Sequence, residues 1–134
     1  MNSNYVVDTM AMVLRLEKRK LSHKAKAIFE EAEKGNATLF VPAMALAEIG
    51  YLSERNKIDT NPQEVKDYCQ RYPTVHVEAI TEEIIHKSFE IDDIPELHDR
   101  IIAGTAHLKN LKLITNDQMI MDSKYNIYHL VRTA

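Results

Sequence analysis

Five short segments rich in apolar and β-branched residues recur along the chain, each separated from the next by one or two helical stretches. That alternation restricts the fold more than any other feature. The segments run over residues 4–7, 37–41, 74–78, 112–115 and 126–130. Strands alternating with helices pair in parallel, and a parallel sheet must be covered on both faces. The expected fold class is therefore α/β: a three-layer α/β/α domain around a mostly parallel central sheet of four to five strands. With 134 residues, no internal repeat and no linker-like stretch, a single domain spanning 1–134 is expected.

The intervening stretches carry helix signals. Asp8-Thr9 offers capping chemistry before Met10, Val13, Leu14 and Leu16. Ser22 can cap a helix bearing Ala25, Ile28, Phe29 and Ala32, and Gly35 can end it. Residues 44–54 favour a helix by propensity, and Pro62 suits the first position of another that closes near Tyr72-Pro73. Thr81 opens a further helix. The longest runs from Pro95 to Lys109, with Leu97, Ile101, Thr105 and Leu108 on one side and Asn110 as a left-handed cap. Asp117 begins a short helix after the fourth strand.

Charge and cysteine content narrow the setting. Seventeen Lys and Arg stand against twenty Asp and Glu, a formal net charge of -3, so bulk charge does not mark a nucleic-acid binder. The lone Cys69 cannot form an internal disulfide. Asp8 interrupts the apolar Tyr5-Val6-Val7 run, and no apolar run approaches the length of about 20 residues needed to span a bilayer. A cytoplasmic protein with no membrane partner is expected. No serine nucleophile elbow, glycine-rich phosphate loop, HExxH helix or paired-cysteine metal motif is present.

In α/β sheets of this kind, ligands bind beyond the carboxyl ends of the strands. Asp8 ends the first strand and Asp117 follows the fourth, so each either caps the next helix or contributes to a shared site. Glu48 has Met44, Ala45, Tyr51 and Leu52 as its helical neighbours, with no Lys or Arg at those spacings. A carboxylate there must reach water or meet a cation. Asp99 lies early in the longest helix, where the helix dipole favours acid. Ala103, Gly104 and Ala106 are small enough to let that helix approach the sheet closely. Gly104 costs about 1 kcal/mol relative to Ala in a helix interior, which points to a packing reason. Carboxylates brought together in one cleft raise each other's pKa. One or two hard divalent cations, Mg²⁺ or Mn²⁺, would relieve that crowding.

Four segments in order, YVVDT (5–9), PAMALAEIGY (42–51), LHDRIIAGTAH (97–107) and LITND (113–117), resemble the PIN-domain nucleases. Length and element order look most like the VapC-type toxins of toxin–antitoxin pairs, and the resemblance covers nearly the whole chain. It implies metal-dependent endonucleolytic cleavage of RNA, with water attacking and the 3′-oxygen leaving. It assigns the catalytic and metal-binding acids to Asp8, Glu48, Asp99 and Asp117, with Mg²⁺ or Mn²⁺ as cofactor. Supporting hydroxyls fall on Thr9 and Thr115. Met10 stands where many members carry Asn, and Asn110 where a Gly often precedes the fourth strand. The resemblance also implies a VapB-like antitoxin whose C-terminal segment covers the active-site groove, and a homodimer. A PIN nuclease of RNA processing or decay, or a silent PIN scaffold, carries the same motifs.

Arg15, Lys18, Arg19 and Lys20, followed by Lys24 and Lys26, form the densest basic segment. It is either a solvated face or a set of phosphate contacts that position RNA without reading its sequence. Arg100 is a further phosphate-contact candidate or one half of a surface ion pair. The acidic run of Glu82, Glu83, Glu90, Asp92, Asp93 and Glu96 is a solvated stretch or an attractor for a basic partner tail.

Overall fold

A computed structural model describes residues 3–125 and 130–133. Its strands are β1 (Ser3–Val7), β2 (Ala37–Pro42), β3 (Val75–Glu78), β4 (Lys112–Thr115) and β5 (Leu130–Arg132). Its helices are α1 (Thr9–Leu16), α2 (His23–Glu33), α3 (Ala43–Glu54), α4 (Pro62–Arg71), α5 (Glu82–Ser88), α6 (Leu97–Lys109) and α7 (Gln118–Asp122). The sheet order is β3-β2-β1-β4-β5, and every neighbouring pair is parallel. Consecutive residues Val6 and Val7 of β1, and Leu113 and Ile114 of β4, are all fully buried. Side chains on both faces of the sheet are therefore covered, as the alternating pattern requires.

Local chemistry sets most of the boundaries. Asp8, Ser22, Asn61, Thr81 and Asp117 each accept a hydrogen bond from a backbone N–H in the first turn of the helix that follows, at 2.8–3.2 Å. Asn110 adopts the left-handed conformation (φ 55°) that ends α6 and turns the chain into β4.

The chain runs outward through β2 and β3 on one side of β1, then returns to place β4 on the other side. The strand order thus reverses between β1 and β4, where Val7 pairs with Ile114 and the Asp8 N–H donates to the Ile114 carbonyl at 3.1 Å. This is the crevice where ligands bind in such sheets. Asp8 and Asp117 stand at the ends of the two strands that form it.

Three expectations are corrected. The last strand ends at Arg132, two residues beyond the end expected from sequence; residues 126–129 of the expected strand lie outside the described residues. Leu97 and Leu108 of α6 are exposed, and the buried part is the continuous run Ile101–Ala106. The middle of α6 is enclosed because it packs on α5 as well as on β1 and β4, so no single apolar stripe describes it. Gly104 serves the first of these contacts and not the approach to the sheet. A Cβ built there would stand 2.0 Å from Ser88 Oγ and 2.8 Å from Ser88 Cα.

Candidate active site

Asp8, Glu48, Asp99 and Asp117 all line one cleft of about 430 Å³, together with Thr9, Met10, Asn116 and Thr133. They reach it from different elements. Asp8 and Asp117 come from the loops beyond β1 and β4, Glu48 from the second turn of α3, and Asp99 from the first turn of α6. Asp8 is buried and the other three are half-buried. Glu48 stands beside the buried positions Ala45 and Ile49 rather than among them, which opens its carboxylate to the cleft.

Each acid has its own anchor. Asp8 accepts the Ala11 N–H at 2.8 Å and is hydrogen-bonded to the Thr115 hydroxyl. Asp117 accepts the Ile120 N–H at 3.0 Å, and its own N–H donates to Thr115 Oγ1 at 3.0 Å. Thr9 Oγ1 donates to Glu48 Oε1 at 2.5 Å. Asp99 has its N–H held by the Glu96 carboxylate, the N-cap of α6. The two threonines named by resemblance therefore each hold an acid of the cleft.

Burial pushes the Asp8 carboxyl up to about 6. The Thr115 hydroxyl and the Ala11 N–H pull it back, while Asp117 and Glu48 add to the rise. Asp99 is raised to about 7, first by burial and then by the negative charges of Asp117, Glu96, Glu48 and Asp8. Burial is the first cause of both shifts, and the neighbouring carboxylates add to each.

Among the described residues, no three His, Cys, Asp or Glu side chains are gathered tightly enough to form a ready-made metal cage. The expected convergence is therefore an arrangement around one cleft. The donor set nonetheless fits a hard cation, because it consists of carboxylate oxygens with no histidine or thiol lining the cleft.

The basic candidates lie elsewhere. Arg15, Lys18, Arg19 and Lys20 line a larger cleft of about 1050 Å³ that shares no residue with the acidic one. Size does not mark the chemistry here, since the smaller cleft holds the perturbed acids. Arg15 is committed within the protein: it forms a two-pronged contact with Glu33 at 2.6 and 2.9 Å, and the Tyr68 hydroxyl donates to the same carboxylate. Arg100 Nε donates to the Ile94 carbonyl at 2.6 Å, with its guanidinium over the Phe89 ring. Both arginines thus have partners within the protein. Lys18 and Lys20 are exposed, as is Arg19, whose partner Glu17 lies at 3.5 Å. The acidic run is largely tied internally: Asp93 accepts from Ser123 and Lys124, and Glu96 caps α6.

Thr133 and Asn116 line the cleft without having been singled out in the sequence. Thr133 follows β5 directly, so the rule that strand ends carry function applies to it. Placing the strand at 126–130 hid that position.

The family model of the PIN domain matches residues 5–124. No curated protein matches the sequence. Among solved structures, VapBC2 from Rickettsia felis bound to a DNA fragment from its promoter is similar, with TM-score 0.74 and 19% identity over 98% of this chain and 99% of that one. DNA-bound VapBC from Salmonella typhimurium has TM-score 0.68 and 14% identity, covering 97% of this chain and 98% of the other. A toxin–antitoxin complex from Klebsiella pneumoniae has TM-score 0.63 and 20% identity, covering 95% of each chain. Those likenesses show a shared fold, and the family match spans most of the chain, so this protein belongs to the PIN-domain family.

Proposed function

We propose that this protein is a divalent-cation-dependent endoribonuclease and the toxin of a VapBC-type toxin–antitoxin pair. The observation that carries the reading is the meeting of Asp8, Glu48, Asp99 and Asp117 in one cleft at the strand-order reversal, with Asp8 and Asp99 raised in pKa. The four carboxylates would hold Mg²⁺ or Mn²⁺. Such a cation, when bound, neutralises the acids, activates water and stabilises charge developing at phosphorus. Thr9 keeps the Glu48 carboxylate oriented and Thr115 does the same for Asp8, leaving their remaining oxygen lone pairs for the cleft.

Likeness to VapBC complexes over nearly the full length supports the toxin role and a VapB-like antitoxin as partner. In this reading the antitoxin's C-terminal segment covers the acidic groove, the toxin is a homodimer, and it acts in the cytoplasm. No helix among the described residues is long and apolar enough to cross a membrane.

The test is 5′-end mapping of total RNA incubated with the purified protein and Mn²⁺, with Asp99→Asn and EDTA as controls. Discrete new ends absent from both controls are expected. A uniform ladder would instead identify a nuclease of RNA decay, and no new ends despite bound Mn²⁺ would identify a silent scaffold.

A further inference from the structure

The hydroxyls around the acidic cleft are not equivalent. Thr9 Oγ1 donates to Glu48, and the Thr115 hydroxyl is bonded to Asp8 and accepts the Asp117 N–H. Thr133 is different. Its backbone is fully engaged, with its N–H donating to the Thr115 carbonyl at 3.0 Å and its carbonyl accepting the Ser22 N–H at 2.7 Å. The residue is 1% exposed and lines the cleft, yet its Oγ1 has no hydrogen-bond partner among the described residues.

A buried hydroxyl without a partner carries a desolvation cost of about 1–3 kcal/mol. Valine would fill the same volume without that cost. A hydroxyl is accounted for if its partner arrives with a ligand. Carboxylates in the ionised state can only accept, so the four acids offer nothing to an anionic oxygen. A phosphodiester entering this cleft needs a donor, and the Thr133 hydroxyl is one that no other group employs. Rotation about its Cα–Cβ bond moves the oxygen among staggered positions, so it is not confined to the packed one.

We propose that Thr133 is a substrate-binding residue whose hydroxyl donates to a non-bridging oxygen of the RNA phosphodiester held in the acidic cleft. This inference rests on the nuclease reading above. It adds to the acids a neutral donor at the end of β5, to which neither composition nor family resemblance assigns a role.

The experiment compares wild type with Thr133→Val and Thr133→Ser. Three quantities are measured: melting temperature in EDTA, the rise in melting temperature on adding Mn²⁺, and the affinity for a fluorescent 2′-O-methyl RNA 12-mer of mixed sequence in Mn²⁺. Thr133→Val is expected to melt at or above the wild-type temperature in EDTA and to keep the full Mn²⁺ rise. It should bind the 12-mer roughly tenfold more weakly, as loss of a hydrogen bond to a charged group predicts. Thr133→Ser should restore that affinity. Destabilisation of Thr133→Val in EDTA would show a structural hydroxyl bond and overturn the proposal, as would unchanged affinity for the 12-mer. Failure of the wild type itself to respond to Mn²⁺ or to bind the 12-mer would instead overturn the nuclease reading on which the proposal rests.

Discussion

Thr9 Oγ1 lies 2.5 Å from Glu48 Oε1, joining the first residue of α1 to the middle of α3 across 39 positions of sequence. Thr9 follows Asp8 directly, so one dipeptide supplies an acid to the cleft and orients another. Thr9→Val should lower stability by about 1–2 kcal/mol and cleavage by at least tenfold, because Glu48 loses the hydroxyl that orients its carboxylate. Thr9→Ser should recover most of both. Urea unfolding and single-turnover cleavage check the pair of effects.

Asp99 is crowded by Asp117, Glu96, Glu48 and Asp8. Asp99→Asn should raise the melting temperature in EDTA by removing a repelled charge, shrink the rise produced by Mn²⁺, and abolish cleavage. Differential scanning calorimetry with and without Mn²⁺ reads the first two effects. A variant equal to wild type in both would show that the acids do not share a site.

Asp8 and Asp99 have folded-state pKa values near 6 and 7, above the usual value for an unfolded aspartate. The folded protein therefore binds more protons than the unfolded chain between about pH 4 and pH 7, and stability must fall as pH rises through that window. In EDTA the protein should be more stable at pH 5 than at pH 8, with Asp8 alone contributing about 1 kcal/mol over that interval. Mn²⁺ should act oppositely, stabilising more at pH 8 because protons no longer compete for the carboxylates. Denaturant titrations at the two pH values, with and without Mn²⁺, measure both slopes.

Gly104 on α6 sits against Ser88 on α5 too closely for a side chain. Gly104→Ala should cost roughly 2–3 kcal/mol by overpacking, although alanine is the better helix former. Adding Ser88→Gly removes the Oγ and Cβ it would strike and should recover part of the loss, a coupling that a double-mutant cycle resolves.

Within the basic segment, Arg15 and Lys20 should separate by phenotype. Arg15→Gln breaks a half-buried contact with Glu33 and should lower stability by about 1–2 kcal/mol. Lys20→Gln should leave stability unchanged and, if the exposed lysines hold phosphates, reduce the salt dependence of RNA binding. Thermal melts and binding at two salt concentrations distinguish the two roles.

Much of this molecule was legible in the order of its residues because the informative signals are local. Capping side chains at Asp8, Ser22, Thr81 and Asp117, a left-handed Asn110 and alternating apolar segments act over a few positions, and the caps stand where expected. The candidate acids were legible for a related reason: a carboxylate at a strand end or on an apolar helix face is costly enough to call for an explanation. The end of β5, the enclosure of Ile101–Ala106 and the reason for Gly104 were not legible, since they depend on which distant elements meet. Long-range contacts also decide what a charged or polar group can do. Sequence alone determined that four acids and a basic run exist. Only the tertiary structure decided that the acids surround one cleft, that Arg15 is bound to Glu33, and that Thr133 reaches the cleft with its hydroxyl unmatched, because partners far apart along the chain become neighbours only when the sheet assembles.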